Sequence, residues 1–195
     1  MREIFYEETA MVKNPKNCLT KYRLYKTLSI LCYVLAGLSV FFGFFYPLVE
    51  EVLILSLIMA FIPAVFFILL GIFLGRRKNT AYVEYDYTFV TGSIRISRVI
   101  NNLKRKSLLI FEARDIEQIG AYGSETYLKY EKMPGIIKDI LTSNETSNEN
   151  KGFYYFVAVV NGDKRLMILE CTRTFIANVL KFTNRTVLEK EFPKE

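Results

Sequence analysis

Two long runs without a single charged residue dominate the first half of the chain. Thr27 to Val49 lies between Lys26 and Glu50, and Val52 to Gly75 lies between Glu51 and Arg76. At about 1.5 Å of rise per residue the first run reaches roughly 34 Å as a helix, enough for a hydrocarbon core of about 30 Å. The second has similar length, and its one interruption, Pro63, is of a kind that membrane helices tolerate. The pattern predicts a transmembrane helical hairpin over 27–75, with spans 27–49 and 52–75 and a tight turn offering only Pro47, Glu50 and Glu51. A polar arm precedes the first run, and the run is longer than the apolar part of a signal peptide, so no cleavage is expected.

From residue 79 the period changes. Val83, Tyr85, Tyr87 and Phe89 alternate with Glu84, Asp86 and Thr88, the mark of a half-buried strand. A turn at Thr91-Gly92 leads to Ile94, Ile96 and Val99, and Asn101-Asn102 marks the next reversal. Further strands are expected at 106–111, 116–121, 125–131, 152–160 and 164–170, the last two joined by Asn161-Gly162-Asp163. Pro134 to Leu141 reads as one or two helical turns, and Thr142 to Asn150 as a mobile loop. Thr172 or Thr174 caps a short helix running to about Phe182, because Phe175, Ile176, Val179 and Leu180 share one face. The domain organisation expected is therefore a basic N-terminal arm over 1–26, the hairpin, and one β domain over 79–195 with its own core.

Charge orients this arrangement. The net charge is +6, and the basic residues flank the apolar part: Lys21, Arg23 and Lys26 before it, Arg76, Arg77 and Lys78 after it. By the positive-inside rule both flanks face the cytoplasm, which makes the chain a two-span cell-membrane protein with both termini inside. The triplets at Asn144 and Asn184 that match a glycosylation consensus are then incidental. Neither span contains an Asp, Glu, Lys, Arg or His side chain, which argues against transport by this chain alone. Gly71 and Gly75 form a GxxxG pair, and Ser39 and Gly43 a similar spacing; ordinary packing of the two helices on each other competes with homodimerisation as their explanation.

Composition closes off much chemistry. There is no histidine, so the commonest general base and metal ligand are missing. The three cysteines, Cys18, Cys32 and Cys171, form no CxxC pair, and no nucleotide-binding, hydrolase or metalloprotease motif occurs. No catalytic residue, metal or cofactor is assigned, and the chain is read as a non-enzyme.

The segments Tyr87-Thr88-Phe89, Gly92-Ser93-Ile94, Lys104-Arg105-Lys106 and Asp115-Ile116-Glu117 resemble the first strands of bacterial pleckstrin-homology (PH) domains. The resemblance covers roughly residues 82–182 and extends to small uncharacterised bacterial membrane proteins in which such domains follow paired spans. It implies an α+β membrane protein: a two-helix transmembrane hairpin followed by a PH-like antiparallel β-barrel or sandwich with a C-terminal helix. The chain departs from that pattern in its long 133–150 segment, its short helix and a further strand-like stretch, TVLEKEF, after Arg185.

Six basic residues, Arg95, Arg98, Lys104, Arg105, Lys106 and Arg114, lie within twenty positions that hold one acidic residue, Glu112. Held near an anionic leaflet, such residues contact lipid or a partner; the plainer reading is a solvated strand face. Nucleic acid is set aside, because Tyr85, Tyr87 and Phe89 fall on the core side. The expected function is a membrane-anchored scaffold or regulatory interaction module contacting membrane lipids, with an accessory subunit of a transporter or channel complex as the alternative. A membrane-protein partner and a homodimer both stay open.

Overall fold

The computed structural model describes residues 3–45, 53–183, 186–190 and 192, and they fall into two compact units, Met1–Lys13 with Val83–Glu195, and Asn14–Tyr82. The turn between the two expected spans, with Pro47, Glu50 and Glu51, lies outside the described residues.

The second unit is a helical pair, α1 (Pro15–Phe45) and α2 (Leu53–Ala81). Both are long and apolar enough to cross a membrane. They also begin or end well outside the uncharged runs: Lys16, Lys21, Arg23 and Lys26 ride on the first turns of α1, and Arg76, Arg77 and Lys78 on the last turns of α2. Large apolar side chains point outward all along, including Phe42, Ile62 and Leu69, each more than 60% exposed. The helices meet through small residues. A Cβ added at Gly71 would lie 3.0 Å from the Tyr33 ring, one at Gly75 would lie 3.5 Å from Ser29 Oγ, and Ser29 Oγ donates to the Gly71 carbonyl at 2.8 Å. Gly71→Leu is expected to force the helices apart and destabilise the pair by about 1–3 kcal/mol. Gly75→Ala, entering at ordinary contact distance, is expected to be nearly neutral. Thermal unfolding of the two variants in detergent checks both.

The first unit holds two four-stranded sheets. Sheet A has the order β1-β2-β3-β4, all antiparallel: β1 (Phe5–Ala10), β2 (Val83–Val90), β3 (Ser93–Ile100) and β4 (Lys104–Glu112). The arm over 1–26 is thus not one element. Its residues 5–10 are the edge strand of this sheet, pairing from Phe5↔Val90 to Ala10↔Tyr85, and its residues from Pro15 onward are helix. Six residues with adjacent glutamates carry little strand signal, and the partner that makes them a strand lies 77 positions away at the Thr9–Asp86 contact.

Sheet B has the order β5-β7-β8-β6, from β5 (Ile116–Ala121), β6 (Ile137–Ile140), β7 (Gly152–Val160) and β8 (Asp163–Cys171). Two expectations fail here. Residues 125–131 form a helix, α3 (Glu125–Glu131), because Ser124 caps it through the Tyr127 amide and Tyr127 and Tyr130 recur at helical spacing to cover Tyr155. Within Pro134–Leu141, expected as helical turns, β6 pairs parallel to β8, which the α3 crossover permits. β7 and β8 join at Asn161-Gly162, with φ of 54° and 88°, the left-handed pair that a two-residue hairpin requires. The C-terminal helix, α4 (Arg173–Leu180), is capped by Thr172 Oγ1, which accepts from the Phe175 amide.

The main core lies between the sheets and α4. Tyr87, Phe89, Ile94 and Ile96 face Phe156, Met167 and Leu169, and the Phe175 ring sits 6.0–6.5 Å from those of Tyr6, Tyr87 and Phe156. A second cluster, Tyr127, Tyr155, Val157, Leu166 and Ile168, fills the opposite face of sheet B beneath α3. Burial on both faces explains the unbroken apolar run of β7. After α4 the chain returns to the edge of β5: Ile119 donates to the Val187 carbonyl and accepts from the Glu189 amide, a bridge within the stretch read as strand-like.

Candidate functional site

Residues 14–82 are inserted between two hydrogen-bonded neighbours, β1 and β2. The helical pair therefore occupies the place of a loop closing the first β-hairpin of the domain. The end of sheet A at which the chain leaves (Ala10) and returns (Val83) is also where β3 and β4 reverse, since Val83 pairs with Ile100 and Ile100 with Lys104.

Register sorts the six basic residues predicted as a patch. A bulge at Leu108 sets the faces: Ile96 opposes Leu109, but Ser97 opposes Ser107, so Arg98 and Lys106 stand directly opposite each other while Arg105 falls on the other side with Val99. Arg105 is held by acids, 3.2 Å from the nearly buried Asp86 and 3.7 Å from Glu7, and Asp86 also accepts from Thr9 Oγ1. Arg114 pairs with Glu112 at 2.7 Å. Arg95 sits mid-strand opposite Ile110, on the face that carries Arg105. Among the described residues Arg98, Lys104 and Lys106 have no acidic partner within 4 Å, and the buried Nε of Arg98 has no hydrogen-bond acceptor. At the turn, Asn101 and Asn102 adopt φ of 52° and 54°, and Leu103 is 84% exposed.

The strand β2 is not half-buried throughout, as its alternation predicts. Glu84 and Asp86, on the face opposite Tyr85 and Tyr87, are buried as well, and Glu84 accepts from the Val12 amide.

The same end of the domain carries a buried polar cluster that the sequence did not announce. Glu8 Oε1 lies 2.9 Å from Lys151 Nζ, and the Glu8 carboxylate accepts from both the amide and the hydroxyl of Thr172. Lys151 Nζ also donates to the Thr9 carbonyl at 2.7 Å. Glu170, fully buried, accepts from Thr142 Oγ1, Asn144 Nδ2 and the Asn148 amide. Asn144 and Asn148 each donate to the Met11 carbonyl, and Asn144 Oδ1 accepts from the Lys13 amide. Residues 142–150, read as a mobile loop, are instead the tie between β8 and the segment leading into α1. One signal was available: a glutamate inside the apolar run LMILEC must find donors if it is buried. Tyr87 joins the cluster by donating to the Leu141 carbonyl at 2.7 Å, and burial raises its hydroxyl pKa well above the usual value, keeping it a neutral donor. Burial likewise pushes the Cys171 thiol up, which leaves it an inert core side chain.

These interactions pin together a β domain whose chain is interrupted, between β1 and β2, by the helical pair. A family model described as a bacterial PH-like domain (DUF6106) matches residues 2–189. The chain belongs to this bacterial PH-like family. The match begins ahead of β1 and runs through both helices, so the insertion lies within the family's own boundaries. Comparisons with curated proteins and with solved structures found no match.

The remaining predicted residues of this PH-like protein lie on the helices. Lys21, Arg23, Lys26, Arg76 and Arg77 are exposed and Lys78 half-buried, with the Arg77 guanidinium 5.3 Å from the centre of the Phe73 ring. Ser39 and Gly43 are half-buried on α1, where Ser39 Oγ donates to the Leu35 carbonyl of its own helix. Gly71 and Gly75 face α1. Among the described residues no three His, Cys, Asp or Glu side chains converge as a metal site would require.

Proposed function

We propose that this PH-like protein is a non-enzymatic scaffold or regulatory module, anchored in the cell membrane by α1 and α2 with its β domain and both termini in the cytoplasm. The observation that carries the reading is the insertion of an outward-apolar helical pair into the first β-hairpin of the domain. Exposed Phe42, Ile62 and Leu69 require an apolar surround, which a bilayer provides. The helices are not a removable leader, because β1 precedes them and completes sheet A. Basic residues at the outer turns of both helices favour the cytoplasmic side for the domain. A chain without histidine or a nucleophile motif suits recognition better than turnover.

The alternative, an accessory subunit packing on a transporter or channel through its spans, has weaker support, since Gly71 and Gly75 are already occupied by Tyr33 and Ser29. An exchange experiment separates the two. With residues 14–81 replaced by an unrelated two-span hairpin, a scaffold keeps its crosslinked membrane partners; an accessory subunit loses them. Reporters fused after Glu195 are expected to read cytoplasmic, and an external reading would overturn the orientation.

A further inference from the structure

We infer that the tail carrying Val187, Leu188, Glu189 and Phe192 is a built-in plug on the open edge of β5, which an extended segment of a protein partner displaces. That segment seats an apolar residue where Val187 sits and an uncharged polar residue, such as glutamine, where Glu189 sits. The inference rests on the module reading above, which supplies the partner, and names the surface and the chemistry that would receive it.

Sheet B runs β5-β7-β8-β6, so β7 pairs with one side of β5 and leaves the other as an edge. Such an edge offers its backbone groups to any strand that comes alongside. The tail answers them sparsely. Among the described residues its backbone pairing with β5 is two bonds at Ile119, whose amide donates to the Val187 carbonyl at 2.8 Å and whose carbonyl accepts from the Glu189 amide at 2.9 Å. Apolar contacts complete the seat: Val187 is buried in the main core, and the Phe192 ring stacks on that of Tyr154 with 5.4 Å between centres.

Glu189 works against this seat. Its carboxylate lies over Gly120, where an added Cβ would fall on Glu189 Oε2 and come within 2.5 and 2.8 Å of Tyr155 ring atoms, so only glycine leaves room for it. Glu189 is 7% exposed, and neither of its oxygens has a hydrogen-bond partner; nor has the buried hydroxyl of Tyr155. Glu8 and Glu170, the other buried acids near the sheets, are by contrast met by Lys151 and by three donors. A carboxylate taken out of water with neither cation nor donor offsets much of what Val187 and Phe192 gain. Burial, and then the charge of Glu189, raise the Tyr155 hydroxyl pKa and keep it a neutral donor for an incoming side chain. A strand with the same apolar residues and no charge at this position therefore competes for the edge on better terms than the chain's own tail.

The test uses the full-length chain in nanodiscs, with empty discs as the blank, and a fluorescein-labelled peptide of residues 186–192 carrying Glu189→Gln. The expected result is saturable binding by fluorescence anisotropy, with faster amide hydrogen exchange in the chain's own tail once the peptide is bound. The same peptide with the native glutamate should bind roughly tenfold more weakly, and so should the Glu189→Gln peptide to a full-length chain whose own tail carries Glu189→Gln. Without peptide, the wild-type tail should exchange faster than β7, and Glu189→Gln should slow it. No peptide binding, with a tail that exchanges as slowly as β7, makes the tail an integral strand and overturns the plug. Binding that leaves the exchange of the tail unchanged overturns the assignment to β5. Affinities indifferent to Glu189→Gln in both peptide and chain overturn the part given to the buried carboxylate. Crosslinking in membranes separates this inference from the reading it rests on: partners recovered equally by the wild type and by Glu189→Gln overturn the plug alone, whereas no protein partner for either overturns the module reading, whatever the peptide does.

Discussion

Replacing residues 14–81 by a short glycine-containing loop is expected to yield a soluble domain that unfolds cooperatively, whereas the fragment 79–195 is expected to aggregate. The two differ in β1. In the first chain Ala10 still pairs with Tyr85, and a short connection closes an ordinary antiparallel hairpin. In the fragment the edge of β2 is unpaired, a template for intermolecular strand addition. The core loses Ala10 and Tyr6, leaving Tyr87 and Phe175 partly uncovered. Lys151 loses its carboxylate and Thr172 loses the acceptor of its amide. Set against a typical total stability of about 5–15 kcal/mol, these losses together are enough to abolish folding. Circular dichroism melting and size-exclusion chromatography of the two proteins decide the matter; a monomeric fragment with a sharp transition would show that β1 is dispensable.

Lys151→Met is expected to lower the stability of the hairpin-deleted domain by about 3–5 kcal/mol, because it leaves the Glu8 carboxylate buried without its cation. The side chains of Glu8 and Lys151 are only 6% and 15% exposed, so solvent screens the pair little. The Thr172 amide and hydroxyl would still bind Glu8, which keeps the loss short of a wholly unpaired charge. Adding Glu8→Gln removes that charge and should recover part of the loss, giving a coupling of about 0.5–3 kcal/mol in a double-mutant cycle. Urea unfolding of the four proteins measures it. Strict additivity would mean that the ammonium is held by the Thr9 carbonyl and solvent rather than by Glu8.

An element was legible in the sequence to the extent that its signal is local. The helical pair was legible because more than twenty consecutive uncharged residues have few other uses. The reversals at Thr91-Gly92, Asn101-Asn102 and Asn161-Gly162 were legible because glycine and asparagine tolerate positive φ, which all of them adopt there; the β-branched Thr91 is carried into the same region, at φ 43°, by its turn. The Thr172 cap and the face of α4 were equally local. In contrast, ETYLKYE and IKDI are short enough to fit either period, and their neighbours decided: Tyr155 gathered the first into a helix face, and β8 drew the second into a ladder.

By itself, then, the sequence determined the apolar pair, the hairpin reversals, the closing helix and the PH-like class, all of them consequences of patterns a few residues wide or of one long run. Only the tertiary structure decided that residues 5–10 belong to the domain beyond the helices. It alone turned a polar loop into the tie between Glu170 and Met11, and divided six basic residues into paired and unpaired sets. The physical reasons differ. The pairing of β1 with β2 and the tie through Asn144 join segments far apart in the chain, and the sorting of the basic residues turns on a single bulge at Leu108, which exchanges the faces of β4 without any neighbouring residue recording the choice.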